Sequence, residues 1–195
     1  MNIQLAQKSD ALAVAKIHKI EISQGFLSSL PLAFLEKLYL AMITFEGGVC
    51  VVAKENNQVI GFIAGTASVK SFYLFFLKKH SFQATCILFL KIFSISQLKK
   101  IFETLFYPAR NHHLPEAELL TMAVTKGSQG KGIASQMFTE FVGHMKNRGV
   151  KEFKVLVGDQ LQSAIRFYEK SGFVFLTDIT IHDNKKTKVY GYTIV

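Results

Sequence analysis

The segment Met122-Ala-Val-Thr-Lys-Gly-Ser-Gln129-Gly-Lys-Gly132-Ile-Ala134 carries the clearest chemistry in the chain. An apolar strand runs into a glycine-rich turn, and the turn runs into a helix. The first amides of a helix lack acceptors, and the helix dipole favours negative charge there. Such a start suits a phosphate or pyrophosphate. Gly130 and Gly132 have no side chain, so a ligand can approach the backbone, and Ala134 keeps the first helical turn small. The dipole disfavours a cation such as Lys131 at this end unless an anion is bound. Two better-known phosphate motifs do not fit. A P-loop needs Ser or Thr after its Lys, and here Gly132 follows Lys131. The dinucleotide fingerprint needs Gly or Ala where Ser135 stands, and it lies early in a βαβ unit. Cys50 and Cys86 lie in apolar surroundings and read as reduced thiols. No Cys/His spacing points to a metal.

The elements that position this turn follow from periodicity and punctuation. A first strand is expected at 3–6, then a helix from Ala11 capped by Ser9 or Asp10. Pro31 opens a second helix that Gly47-Gly48 ends. Residues 49–53 and 59–66 form a hairpin around Glu55-Asn56-Asn57-Gln58. Glu118 to Val124 is the strand before the turn, and 132–148 is the helix after it, stopped by Gly149. A strand at 151–157, a helix at 160–171 and a closing hairpin of 173–181 with 188–195 around Asp183-Asn184 complete the chain. Between hairpin and turn, 67–115 reads as two or three amphipathic helices.

The turn matches the pattern Q/R-x-x-G-x-G/A at Gln129, Gly132 and Ala134. It resembles the acyl-CoA-binding signature of the GNAT acetyltransferase superfamily. A second match lies downstream at Ala164-Ile-Arg-Phe167-Tyr168-Glu-Lys-Ser-Gly172-Phe173, which resembles the family pattern A-x-x-F/L-Y-x-x-x-G-F. The likeness spans Ile3 to Val195 and implies one α+β domain over 1–195. That domain is a GNAT-like mixed, twisted β-sheet flanked by helices, with 67–115 as a helical insertion between the third and fourth strands.

The resemblance also implies a reaction, acyl transfer from acetyl-CoA (or another acyl-CoA) to a primary amine by direct attack. Backbone amides of Gln129, Gly130, Lys131, Gly132, Ile133 and Ala134 would hold the CoA pyrophosphate, with the Ser135 hydroxyl nearby. The strand Met122, Ala123, Val124 would pair with the pantetheine arm. Tyr168 stands where the family often places the acid that protonates the departing thiolate, and a phenol near pKa 10 can serve a thiol near 8.5. The other reading of Tyr168 is packing on the helix face. Glu118 opens a strand like the one that carries a catalytic Glu in family members. It is either the base or a solvated Glu at a strand start, and a water chain can replace it. His112 and His113 are further proton-transfer candidates, each also readable as plain surface. Leu161 departs from the family, which often has an Asn there that contacts the pantetheine region; Gln160 or Gln162 could substitute. The alternative function is a non-catalytic acyl-CoA-binding or membrane-associated module.

Charge locates the unusual part of the chain. Of the formal net charge of +9, the insertion holds seven basic residues and one acid, together with eight of the 18 Phe. Three uses stay open for it: a cover over the amine-acceptor site, a homodimer contact, or peripheral contact with an anionic membrane. Nucleic acid is not expected as a partner, because no recognition motif is present. With no basic-then-apolar start and no apolar run of spanning length, a cytoplasmic protein is expected. The acceptor amine is not legible from the chain.

Overall fold

Apolar periodicity converts into twelve main elements in the computed structural model, which describes residues 1–22, 27–79, 114–181 and 185–195. In chain order these are β1 (Asn2–Leu5), α1 (Ala11–Glu21), α2 (Leu32–Thr44), β2 (Gly48–Glu55), β3 (Gln58–Thr66), α3 (Val69–Lys79), β4 (Glu118–Val124), α4 (Ile133–Asn147), β5 (Glu152–Gly158), α5 (Gln162–Lys170), β6 (Val174–Ile181) and β7 (Lys185–Thr193). Seven strands with flanking helices give the expected α+β, GNAT-like fold, with the insertion leaving after β3 and returning at β4. The chain divides into two units. One comprises Met1–Ala67, Leu119–Val150 and Ile194, the other Ser68–Glu118, Lys151–Thr193 and Val195. The helices expected later in the insertion, His112, His113, Cys86 and the turn expected at Asp183-Asn184 lie outside the described residues.

In the first unit the strand order is β1-β2-β3-β4. The β2–β3 hairpin is closed by Asn56 and Asn57 at φ 48° and 65°. That left-handed pair belongs to the two-residue turn whose twist matches paired strands, and Asn tolerates it best after Gly. Val49, Val51, Val52 and Ala53 of β2 are fully buried, as are Phe62, Ile63 and Ala64 of β3. Val14, Ala15 and Ile17 of α1 and Met137, Phe141 and Met145 of α4 complete this core.

Three local expectations are corrected. Asp10 does not cap α1 through its side chain. Its carboxylate instead accepts the Gln7 amide at 2.8 Å and pairs with Lys54 Nζ at 2.7 Å. Helix α2 ends at Thr44, before the glycines, where the Thr44 hydroxyl donates to Leu40 O. Gly48 is needed for close approach, because a Cβ there would sit 2.2 Å from Met42 O. Helix α5 starts at Gln162 rather than at 160.

In the second unit the order is β5-β7-β6, both pairs antiparallel. Its aromatic cluster fixes α5: Phe173 meets Tyr168 at 5.1 Å, Tyr192 at 5.1 Å and Phe153 at 5.7 Å between ring centroids. Gly172, at φ 93°, reverses the chain so that Phe173 N returns to Tyr168 O at 3.0 Å. A Cβ would strain that backbone conformation.

Candidate acyl-CoA site

The glycine turn is built from both ends. Thr125 N donates to Ile60 O of β3 at 2.9 Å, and the Gln129 side chain reaches back to donate to Val124 O at 2.9 Å. Lys126 N donates to the Glu21 carboxylate at 3.2 Å. Gln129 N is engaged by Lys126 O at 3.3 Å, and the first helical bond of α4 is Gln136 N to Gly132 O. Between them, the amides from Gly130 to Ser135 donate to no carbonyl of the described residues. Gly130 and Gly132 take φ 77° and 74°, are exposed, and have nothing within 4 Å of where a Cβ would stand. Lys131 and Ser135 are exposed as well, Ala134 is half-buried, and Ile133 anchors the helix start at 2% exposure. A row of free amides at a helix start, with open space before it, fits a pyrophosphate.

Along a strand, backbone groups alternate sides. Thr125 N reaches β3, and Ala123 O lies 3.1 Å from the Cβ that Gly61 of β3 lacks. Met122 and Val124 therefore direct their amides and carbonyls away from β3. Ala123 and Val124 are buried, and Met122 is half-buried.

Glu118 is buried in the second unit at 7% exposure. Burial pushes its carboxyl above the ordinary carboxylate range, and the charge and hydrogen bond of Lys154 pull it partly back. Lys154 Nζ lies 3.5 Å from Glu118 Oε2 and also donates to Pro115 O. At 2% exposure this lysine is as buried as the core, and the sequence reading did not single it out. Its signal was a lone charge in the apolar run Phe153-Lys154-Val155-Leu156-Val157. Tyr73 of α3 faces the same carboxylate, and burial followed by the Glu118 charge raises its phenol. Tyr168 is buried at 7% exposure, and desolvation raises its phenol too, so it stays protonated at neutral pH. At the position of the family Asn, Leu161 precedes α5 without a capping bond, and Gln162 Nε2 donates to Asp159 O at 2.7 Å.

A sequence model described as the Acetyltransferase (GNAT) family matches residues 19–173. The chain belongs to the GNAT acetyltransferase family. Solved structures agree on this fold. A GNAT-family acetyltransferase from Streptococcus pneumoniae superposes with a TM-score of 0.62 at 16% identity, covering 100% of this chain and 99% of that one. The ribosomal-protein-alanine N-acetyltransferase from Brucella melitensis gives 0.65 at 14% identity, with 99% of each chain covered. The yncA protein of Salmonella typhimurium, solved with its cofactor acetyl-CoA, gives 0.59 at 14% identity, covering 100% and 94%. No curated protein matches the chain in sequence. No described helix of this GNAT protein is long and apolar enough to cross a membrane.

Proposed function

We propose that this GNAT protein transfers an acetyl group from acetyl-CoA to a primary amine by direct attack. The observation that carries the reading is the open row of amides from Gly130 to Ser135 after β4. It offers several N–H donors and a helix dipole to one diphosphate. The outward amide and carbonyl of Met122 and the outward amide of Val124, whose carbonyl is held by Gln129, continue that surface as a strand to which the pantetheine arm, itself a chain of amides, can bond. Acetyl-CoA is the ligand of the Salmonella neighbour and is the acyl donor brought to this chain.

Glu118 serves as the base. It takes a proton from the amine as the nitrogen forms a bond to the thioester carbonyl carbon, directly or through a water. The carbon–sulfur bond breaks, and the sulfur leaves with its electron pair. The Tyr168 hydroxyl gives that sulfur its proton, and solvent later restores the phenol and takes up the proton held by Glu118. The products are an amide and the CoA thiol, and for a neutral amine no net proton is released, because the one taken up by Glu118 balances the one given by Tyr168. A buried carboxyl with a raised pKa is suited to the first step, and a phenol held protonated by burial to the last.

The test has two readouts. Acetyl-CoA binds the native state, so 100-fold excess over Kd stabilises the protein by about 2.7 kcal/mol in a thermal melt. Release of CoA thiol is then followed with a pool of primary amines containing spermidine, glucosamine, kanamycin and peptides with free N-termini. A melt unmoved by CoA and acetyl-CoA sinks the proposal.

A further inference from the structure

We propose that Lys154 is a positioning residue for this reaction, clamping the Glu118 carboxylate to the returning end of the insertion. The inference rests on Glu118 being the base and adds a residue that neither motif of the family contains. Three contacts converge on Lys154. Its backbone N donates to Ala117 O at 3.0 Å, its ammonium donates to Pro115 O, and the same ammonium stands 3.5 Å from Glu118 Oε2. All four residues belong to the second unit. The other end of the insertion is tied to the same segment, because Val69 N at the start of α3 meets Glu116 O at 3.5 Å.

A lysine with 2% exposure is costly to hold charged unless its donors are satisfied. Here a carbonyl and a carboxylate satisfy two of three. Among the described residues, the titratable groups that face the Glu118 carboxylate are Lys154 from β5 and Tyr73 from α3. Tyr73 is held neutral by burial and by the Glu118 charge, so the cation beside the base is Lys154. It does two things. Its charge keeps the buried carboxyl ionised at a lower pH than burial alone allows. Its second bond, to Pro115, fixes where that carboxylate stands relative to the point at which the insertion rejoins β4.

The test compares wild type with Lys154→Gln, which drops the charge but keeps a donor for Pro115, and with Lys154→Arg, which keeps both. The Glu118 carboxyl is titrated by carbon NMR of Glu-labelled protein, its signal assigned by its loss in Glu118→Gln. In parallel, the acid limb of acetyl-CoA turnover is measured with the same amine pool. Lys154→Gln should raise both the carboxyl midpoint and the acid limb by about one pH unit or more, and Lys154→Arg should return both toward wild type. An unmoved carboxyl midpoint in a folded Lys154→Gln protein overturns the inference and leaves the base role of Glu118 standing. A midpoint that moves while the acid limb stays put overturns both, because Lys154 then serves a carboxylate the reaction does not use. If Lys154→Gln does not fold, the double variant Lys154→Gln with Glu118→Gln, which leaves no buried charge alone, should recover the fold. Its failure to do so also overturns the clamp.

Discussion

Gly132→Ala separates the two jobs of the turn, shaping the chain and exposing its amides. Gly132 stands at φ 74° with nothing within 4 Å of a new Cβ, so the substitution meets no clash. Its cost to the fold is the left-handed backbone alone, about 1–2 kcal/mol. For a chain of this size that lowers Tm by roughly 2–8 °C. The cost to ligand binding is separate. Each charge-assisted bond between a turn amide and a phosphate oxygen is worth about 1.5–3 kcal/mol, so losing one weakens acetyl-CoA by roughly 10- to 150-fold. Gly149 supplies the matched control: it has the same φ of 74° and the same open space, but follows the other end of α4. Gly149→Ala should lower Tm by a similar amount and leave acetyl-CoA affinity unchanged. The assay is calorimetric titration of acetyl-CoA into both variants, with melts on the same samples. Equal affinity in the two variants would refute the pyrophosphate reading of the turn, whatever their stabilities.

Tyr168→Phe keeps the ring against Phe173 and removes only the hydroxyl. Its Tm should stay close to wild type while kcat falls about 10²- to 10⁴-fold, and an unchanged kcat removes the acid role. Glu118 carries the base role, and burial has raised its pKa. Turnover should therefore fall as pH drops through a point above the ordinary carboxylate range, and Glu118→Gln should abolish that limb along with most of the rate, as a pH–rate profile will show. His18 gives a stability prediction away from the chemistry. It is 2% exposed, its Nε2 has no partner among the described residues, and burial, followed by the neighbouring Lys19 charge, lowers its pKa from 6.5 to about 4. The unfolded chain binds a proton there that the folded chain does not, so stability drains as pH falls from about 6.5 through about 4. The loss is about 3 kcal/mol, and His18→Gln should flatten that part of a denaturation series against pH.

The fold was legible where a local signal and burial agree. Continuous apolar runs on either side of the Asn56-Asn57 turn set β2 and β3, and glycine marked the ends of α4 and α5 because only a left-handed residue stands there. Signals failed where a side chain had a distant use. Asp10 looks like a helix cap, but it sits beside Lys54 of β2, more than forty residues on, and an ion pair at 2.7 Å outcompetes a cap. Gly47-Gly48 looks like a helix stop, but the second glycine answers to Met42 O, a packing constraint that spacing does not encode.

The candidate site divides along the same line. The amide row was legible because a strand, two glycines and a helix are contiguous, and backbone chemistry needs no partner from elsewhere. Gln129 was legible as a motif letter but not as a brace, since its bond to Val124 O exists only once the turn has closed. Lys154 was not singled out because alternation along β5 would place it opposite Phe153 and Val155, on a face that could have been wet. Burial of both faces, seen in Phe153, Lys154 and Val155 together, turns that lysine from a surface residue into one that must have partners. The run Phe-Lys-Val-Leu-Val carries a usable signal of its own. A single charge inside a strand apolar on both faces requires a counter-charge or carbonyl at the same depth. On β4, the strand entered from the insertion, Glu118 is the acidic residue at that depth.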